Sequence, residues 1–408
     1  MYTFRVNSRK FIILYPYQFN DFLWKKRELD HLEESIEIEV WDLTRVLNRR
    51  FSKLIYSPLS PNNRIIYFKN LLQVVYYIYK NIYKSTKRVY LFDKITITNL
   101  KSLTVRLLTN IVIRIKNIEV LTEYNPGHPL LSFHTENNLF KKCKRIIIDY
   151  IYPNLSFIFL IYFVKNLPFQ FLNKILPPRS SFLLVGCEFD KMTSNQVLYG
   201  HSWDFSEFLI KSTDFKELDY NHEASIVMLD GAAPYFHDDK ALTGCKVMLS
   251  VDVWYPLLNK FFDELESKFE APVKVLGHYK SNFDSPSKVF NYREVFYFQT
   301  LDLVRKSKFV ITTESSSISF AILLKKPILF IYSNQLKRDK LQMQQIETHA
   351  KILGTEPINI NDIPKNLDSY LVVDKEKYLE YANKYLTSKY SQKPNYQIML
   401  ENFFAGKD

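Results

Sequence analysis

Apolar residues along this chain fall into short runs separated by longer stretches with helical spacing. Phe11–Leu14, Ile36–Leu43, Arg64–Phe68, Val89–Phe92 and Ile111–Ile115 read as strands, and Leu71–Tyr83 and Leu100–Leu108 carry apolar side chains at helical intervals. Alternation of this kind predicts β-α-β units and parallel sheets. A Pro177–Pro178 break precedes another strand, Phe182–Cys187, and the polar loop from Gly200 to Phe208 opens a helix. The polar stretch Lys211–Glu223 is read as a linker, because the alternation restarts after it. Ser225–Leu229, Val273–Gly277, Val310–Thr313 and Ile328–Tyr332 are then strands, with helices over Tyr255–Phe269, Gln299–Ser307 and Ser319–Leu324. Lys375–Phe404 has a helical pattern that can pack back on the first domain. The expected organisation is a domain at 1–220, a second at 221–374 and a helical tail at 375–408.

Composition modifies this picture modestly. A chain of 408 residues suits two or three domains, and 47% hydrophobic residues support large cores. The 28 Tyr and 32 Phe, with only 8 Gly, fit a coding bias toward AT-rich codons as well as any functional reading. A net charge of +12 favours an anionic partner: nucleic acid, a phosphorylated substrate or an anionic membrane surface. Cys143, Cys187 and Cys245 are odd in number and widely spaced, so they suggest neither a disulfide framework nor a zinc site. The N-terminal residues lack the apolar region of a signal peptide, and an intracellular setting is expected.

Segment 140–176 begins with Lys141, Lys142, Lys144 and Arg145 and continues through the apolar run Ile146–Val164. Its length approaches that of a bilayer span, which is about 20 residues. Asp149, Pro153 and Asn154 interrupt it, so three readings stand: buried core helices, a basic aromatic helix on a membrane surface, or a span.

Candidate chemistry gathers in the second domain, where three polar groups follow predicted strands. They are Asp230-Gly231 within Leu229–Pro234, Gly277-His278 before Tyr279 and Lys280, and Ser315, Ser316 and Ser317 preceded by Glu314. Ligands of parallel α/β sheets bind at the carboxyl ends of strands, so the three groups are expected on one rim. A carboxylate there can take a proton from an attacking hydroxyl. An imidazole and a hydroxyl-rich helix start can hold a departing phosphate, and Glu314 can accept hydrogen bonds from a ribose. Each group also has an ordinary reading: Asp-Gly is a common turn, serine a common helix cap, and a histidine often caps a strand end. Only their ordered combination carries weight.

That combination resembles the Asp/Glu-Asp/Glu-Gly, His-Pro and Ser-Ser/Thr motifs of bacterial GT-B sialyltransferases and related enzymes that transfer CMP-activated nonulosonic acids. The resemblance spans about residues 225–335. It implies an α/β, GT-B-like fold of two Rossmann-like domains facing a cleft, with a C-terminal helix returning to the first. It also implies Asp230 as general base, with His278, Ser315 and Ser316 on the nucleotide phosphate. Leu229 stands where the family has its first acid, and Tyr279 where it has proline. Asp204 is therefore a rival base, and His237, Asp238 and Asp239 are further acids and imidazole within reach of the site. Gly127-His128-Pro129 holds a literal His-Pro but is read as a loop.

The resulting expectation is an inverting glycosyltransferase needing neither metal nor cofactor. It would move a nonulosonate from a CMP-linked donor to a glycan or lipid-linked glycan in bacterial lipopolysaccharide or capsule synthesis, on the inner face of the cytoplasmic membrane. A transferase using a UDP-sugar, or an epimerase of the same fold, is the alternative within this class. Outside it stand a nucleic-acid-binding protein, against which the dispersed basic residues argue, and a non-catalytic assembly scaffold.

Overall fold

A computed structural model of the chain describes residues 9–48, 62–125, 168–189, 195–213, 215, 225–231, 234, 249–278, 285–388 and 391–405. Segment 140–167, the His-Pro at 128–129, residues 237–239, Tyr279 and Lys280 lie outside them. Two compact units emerge. Among the described residues the first takes those up to Asn125, those from 168 to Glu207 and those from Ser388 on, and the second takes Phe208–Thr387. The division thus falls at 207 rather than near 220, and the expected tail at 375–408 is shared between the units at Thr387/Ser388.

The first unit is built on seven parallel strands: β1 Arg9–Tyr15, β2 Glu37–Asp42, β3 Ile65–Tyr67, β4 Arg88–Asp93, β5 Glu119–Tyr124, β6 Phe182–Val185 and β7 Gln196–Tyr199. Their order in the sheet is β3-β2-β1-β4-β5-β6-β7, and every pair is parallel. The pleat of β1 explains how two layers form. Phe11 and Ile13 enter one core and Ile12 and Leu14 the other, so consecutive apolar residues are all buried because helices cover both faces. The Phe11 face is closed by the C-terminal segment: Phe404 meets Phe11 edge-to-face at 5.0 Å between ring centroids, and Phe403, Met399 and Ile398 fill the same core.

Asn395 anchors that return. Its amide accepts from His201 N–H and donates to the His201 carbonyl, both at 2.9 Å, while its own N–H reaches Ser206 Oγ at 2.8 Å. A methyl on Gly200 would fall 2.5 Å from Asn395 Oδ1, so the side chain docks where only glycine leaves room. The tail is not one continuous helix. Lys375–Tyr381 and a following π turn belong to the second unit, and Asn395–Phe403 to the first.

One expected strand is a helix. Ile111–Ile115 lies inside a long helix, Leu100–Lys116, in which Val105, Arg106, Thr109 and Ile113 are buried at helical spacing. The alternation Ile-Val-Ile-Arg-Ile looked β-like because this helix is apolar on its outer side as well, with Ile111 and Ile115 exposed. The real strand follows at Glu119–Tyr124.

The second unit carries six parallel strands: β8 Ser225–Leu229, β9 Val273–Leu276, β10 Val295–Phe296, β11 Ser307–Thr312, β12 Ile328–Tyr332 and β13 Ile358–Asn359. Their order, β10-β9-β8-β11-β12-β13, repeats the 3-2-1-4-5-6 arrangement of the first sheet, and all pairs are again parallel. All five β8 residues are buried, as expected of a central strand. The molecule is therefore α/β, with two doubly wound, Rossmann-like units and a C-terminal helical segment packed on the first. No helix among the described residues is long and apolar enough to cross a membrane.

Candidate functional site

In a sheet of 3-2-1-4 order the chain leaves the central strands in opposite directions, which opens a crevice beyond their carboxyl ends. In the second unit those strands are β8 and β11. Leu229, the last residue of β8, pairs with Leu276 of β9 on one side and with Thr312 of β11 on the other. Asp230-Gly231, Gly277-His278 and Glu314–Ser317 therefore follow three adjacent strands at one edge. Local bonds fix them there. The Asp230 N–H donates to the Leu276 carbonyl at 3.0 Å, the Gly277 N–H to the Phe296 carbonyl at 2.9 Å, and the Thr312 hydroxyl to the Leu229 carbonyl at 3.4 Å. The sequence-predicted groups of this unit thus meet at the switch point.

Exposure grades the site. Asp230 is only 6% exposed, while His278, Glu314, Ser315 and Ser317 are half-buried and Ser316 is open to solvent. The two glycines differ. A methyl on Gly277 would fall 2.7 Å from the Tyr297 ring, so this position is small because an aromatic side chain presses on it. Among the described residues a methyl on Gly231 would meet nothing closer than the Glu314 carbonyl, at 3.7 Å, so their packing does not demand glycine there.

The serine turn opens the helix Ile318–Leu323, as predicted, with Ser317 at its cap position. The cap is not made by the Ser317 side chain; instead Ser315 Oγ accepts from the Ser317 N–H at 3.2 Å. Nor are the first helical N–H groups open. Those of Ile318, Ser319 and Phe320 donate to the Ser315, Ser316 and Ser317 carbonyls at 3.2–3.3 Å. What the turn presents to a ligand is thus mainly hydroxyls. Glu314 is held by the next helix but one, where Gln342 Nε2 donates to its Oε1 at 3.3 Å, and the N-cap Asp339 fixes that helix start by accepting from the Gln342 N–H.

The carboxyl edge of the first unit is also polar, but its groups are bound to one another. Glu123, at the end of β5, takes Arg27 and the Trp203 indole N–H (3.2 Å) on one oxygen and Lys94 on the other. The two cations and their contacts hold this carboxyl well below its usual range, at about 2, against the opposing effect of burial. Burial pushes the Lys94 amine down in turn. Asp93 pairs with Arg106 in the interior, and Asp42 accepts the Phe19 and Thr44 N–H groups, both at 2.9 Å. Asp204, the rival base, is 8% exposed and ion-paired with Lys26. Burial pushes Glu28 up to about 7 and His201 down to about 4. The Arg27–Lys94–Glu123 cluster escaped the sequence reading because β5 was placed one element too early. An acid closing an apolar strand, as in β2 and β4, was the available signal.

No protein-family model matches the sequence, and no curated protein matches it. Among solved structures, 98% of the chain aligns with all of the UDP-GlcNAc 2-epimerase of Methanocaldococcus jannaschii, in complex with UDP-GlcNAc and UDP, at 14% identity and a TM-score of 0.45. The same share aligns with all of MurG from Acinetobacter baumannii at 10% identity and a TM-score of 0.43, and with 98% of CalG4, the calicheamicin glycosyltransferase, at 8% identity and 0.46. Likeness at this level assigns no activity. The fold rests on the two sheets themselves.

Taken as chemistry, the edge of the second unit brings together a carboxylate, an imidazole and a run of hydroxyls. The first can accept a proton, and the others can donate to an anionic leaving group.

Proposed function

We propose that this chain is a sugar-modifying enzyme that uses a nucleotide sugar, and specifically a glycosyltransferase whose donor lies against the carboxyl edge of the second unit. One observation carries the reading: Leu229 is bonded in register to both β9 and β11, so the acid, the imidazole and the serine turn share a single switch point. In this reading the nucleotide phosphate rests on the Ser315–Ser317 hydroxyls and the His278 imidazole, Gly231 lets the ligand approach the backbone, and Glu314 accepts from the ribose. Asp230 is the base that takes the acceptor proton. Asp204 is the weaker candidate, because its carboxylate is committed to Lys26. Direct displacement at the anomeric carbon inverts the configuration, and neither a metal nor a cofactor enters these steps.

A UDP-sugar is placed first as donor. The CMP-dependent family that the motifs resemble pairs two acids in its first motif, and here the first of them is Leu229, a buried strand residue with no acid-base capacity. The CMP-nonulosonate reading keeps one specific support, the order Asp-Gly, Gly-His and Ser-Ser-Ser on three neighbouring strands. Titration of the protein with UDP and with CMP by calorimetry decides between them, and hydrolysis or transfer assays with the matching sugars follow. Binding of UDP with Ser316→Ala weakening it supports the first reading, and binding of CMP alone supports the second. Failure of both nucleotides to bind overturns the proposal.

A further inference from the structure

The first unit has an outer surface that is apolar where a solvated surface should be polar. The helix Leu100–Lys116 buries one stripe against its sheet, yet Leu100, Leu107, Ile111 and Ile115 form a second stripe at intervals of seven, four and four on its outer side, each 41–72% exposed. The adjoining helix Leu71–Tyr77, which continues as a π turn to Tyr83, does the same with Leu72, Tyr76 and Tyr79 at 51–79% exposure. Both helices pack on the same face of the sheet, through Val74, Ile78, Val105 and Ile113. Helix 168–175 lies alongside, tied through Asn173 to Ile97 and through Asn110 to the Pro177 carbonyl, and adds exposed Phe171 and Ile175. These three helices hold nine of the sixteen large exposed apolar side chains among the described residues.

Their charges are of one sign. Residues 69–88, 99–117 and 168–180 contain no Asp or Glu. Lys80, Lys84, Lys101, Arg114, Lys116 and Lys174 are all exposed there. Several of the ammonium groups sit over tyrosine rings, Lys116 at 5.4 Å from the Tyr83 centroid and Lys84 at 5.8 Å from Tyr79. This combination of aliphatic side chains, tyrosines and lysines suits the boundary between headgroups and acyl chains.

We infer that this face docks the protein on an anionic lipid surface, with the aliphatic stripes entering the headgroup boundary and the lysines pairing with lipid phosphates. A second copy of the chain fits less well, since a two-fold contact would bring the same cations face to face with no acid to offset them. Nucleic acid fits less well too, since exposed leucine and isoleucine offer its bases nothing to stack upon.

The test is cosedimentation of the full chain with vesicles of phosphatidylcholine alone and of phosphatidylcholine mixed with phosphatidylglycerol. Binding to the mixed vesicles, falling as salt is raised, is the expected result. Reversing three charges together (Lys80→Glu, Lys84→Glu, Lys116→Glu) is expected to weaken it on the order of 100-fold. Ile111→Ser with Ile115→Ser, which leaves the charge intact, is expected to weaken it about tenfold. All five side chains are exposed, so circular dichroism and the melting temperature are expected to stay unchanged. Equal binding to neutral vesicles, or an undiminished triple variant, overturns the inference. So does loss of binding only when Lys141, Lys142 and Lys144 are reversed, which would move the contact to residues 140–167. A change from oligomer to monomer in the isoleucine variant would assign the face to a second copy.

Discussion

The two units share one topology and use its carboxyl edge in different ways. In the first, the acids that end β2, β4 and β5 are engaged by the unit's own groups: Asp42 by backbone N–H donors, Asp93 by Arg106, and Glu123 by Arg27, Lys94 and Trp203. In the second, the strongest ion pairs among the described residues join helices and loops, such as Arg293 with Asp263 and Glu266 and Lys268 with Asp368. Its switch point instead gathers hydroxyls and an imidazole that are partly open to solvent. An edge whose charges neutralise each other holds helices to a sheet, whereas an edge with the half-exposed Ser315 and Ser317 and the exposed Ser316 places hydroxyls where a ligand can meet them. The same fold thus supplies an edge dominated by buried ion pairs in one unit and an edge carrying solvent-facing hydroxyls in the other.

The sharpest way to break this contrast is Glu123→Gln. It leaves the partly buried Arg27 and Lys94 without their anion, and removing one partner of a buried pair costs about 3–5 kcal/mol. Urea denaturation is expected to show a loss of that size, with the midpoint shifted and the slope unchanged. A loss below about 1 kcal/mol would mean that water already reaches the cluster, and that the first edge is as open as the second.

Asp230→Asn probes the opposite edge. The amide is nearly isosteric, so the chain is expected to stay folded, as circular dichroism checks, while the base is removed. Loss of a general base lowers turnover by about 10²–10⁴-fold. Transfer assays with the bound nucleotide's sugar measure it. A variant of undiminished turnover would hand the role to another acid and leave Asp230 as a strand cap.

How much of this was legible in the sequence differs between the units for a physical reason. Strands buried on both faces, such as Ser225–Leu229 and Ile328–Tyr332, are continuous apolar runs with polar flanks, and their bounds were read as they stand in the structure. The strand-end groups of the second unit followed from those bounds. In the first unit the amphipathic rule failed, because the helix Leu100–Lys116 is apolar on two sides and imitates a strand in its second half. That error displaced β5 and hid Glu123. Arg27 and Lys94 were invisible for a different reason: their meeting depends on sheet order, which pairs residues 29 and 96 positions apart in sequence. The helix cap at Ser315–Ser317 was placed correctly, but which donors it leaves free depends on backbone bonds that no residue pattern encodes.

A smaller effect is the pH dependence built into the first unit. Glu28 titrates at about 7 in the folded chain against 4.5 unfolded, so its protonated form is the one the fold favours. Stability from this group is full below 4.5 and is lost as pH rises through 7, to an extent of about 3 kcal/mol. His201 works in the other direction, since its folded value near 4 contributes stability above 6.5 that disappears as pH falls. The two partly cancel, so the informative quantity is the difference between the wild type and Glu28→Gln, whose amide oxygen can still accept from the Tyr396 N–H. That difference is expected to grow in the variant's favour from pH 5 to pH 8. A difference independent of pH would show that Glu28 ionises freely.

Gly231→Ala is expected to have the smallest effect and separates packing from ligand contact most cleanly. Its added methyl would lie 3.7 Å from the Glu314 carbonyl, an ordinary contact, so the melting temperature is expected to stay within about 1 °C of wild type or to rise slightly as the unfolded chain loses freedom. Gly277→Ala is the opposite case, because its methyl would strike the Tyr297 ring and stability is expected to fall. If Gly231 is small so that a nucleotide can approach the backbone beyond β8, its alanine variant should bind nucleotide about tenfold more weakly, near 1.4 kcal/mol, with the fold intact. Calorimetric titration alongside a thermal melt separates the two quantities. Unchanged affinity in the Gly231 variant would place the ligand nearer the β9 and β11 ends, against His278 and the serines, and away from Asp230.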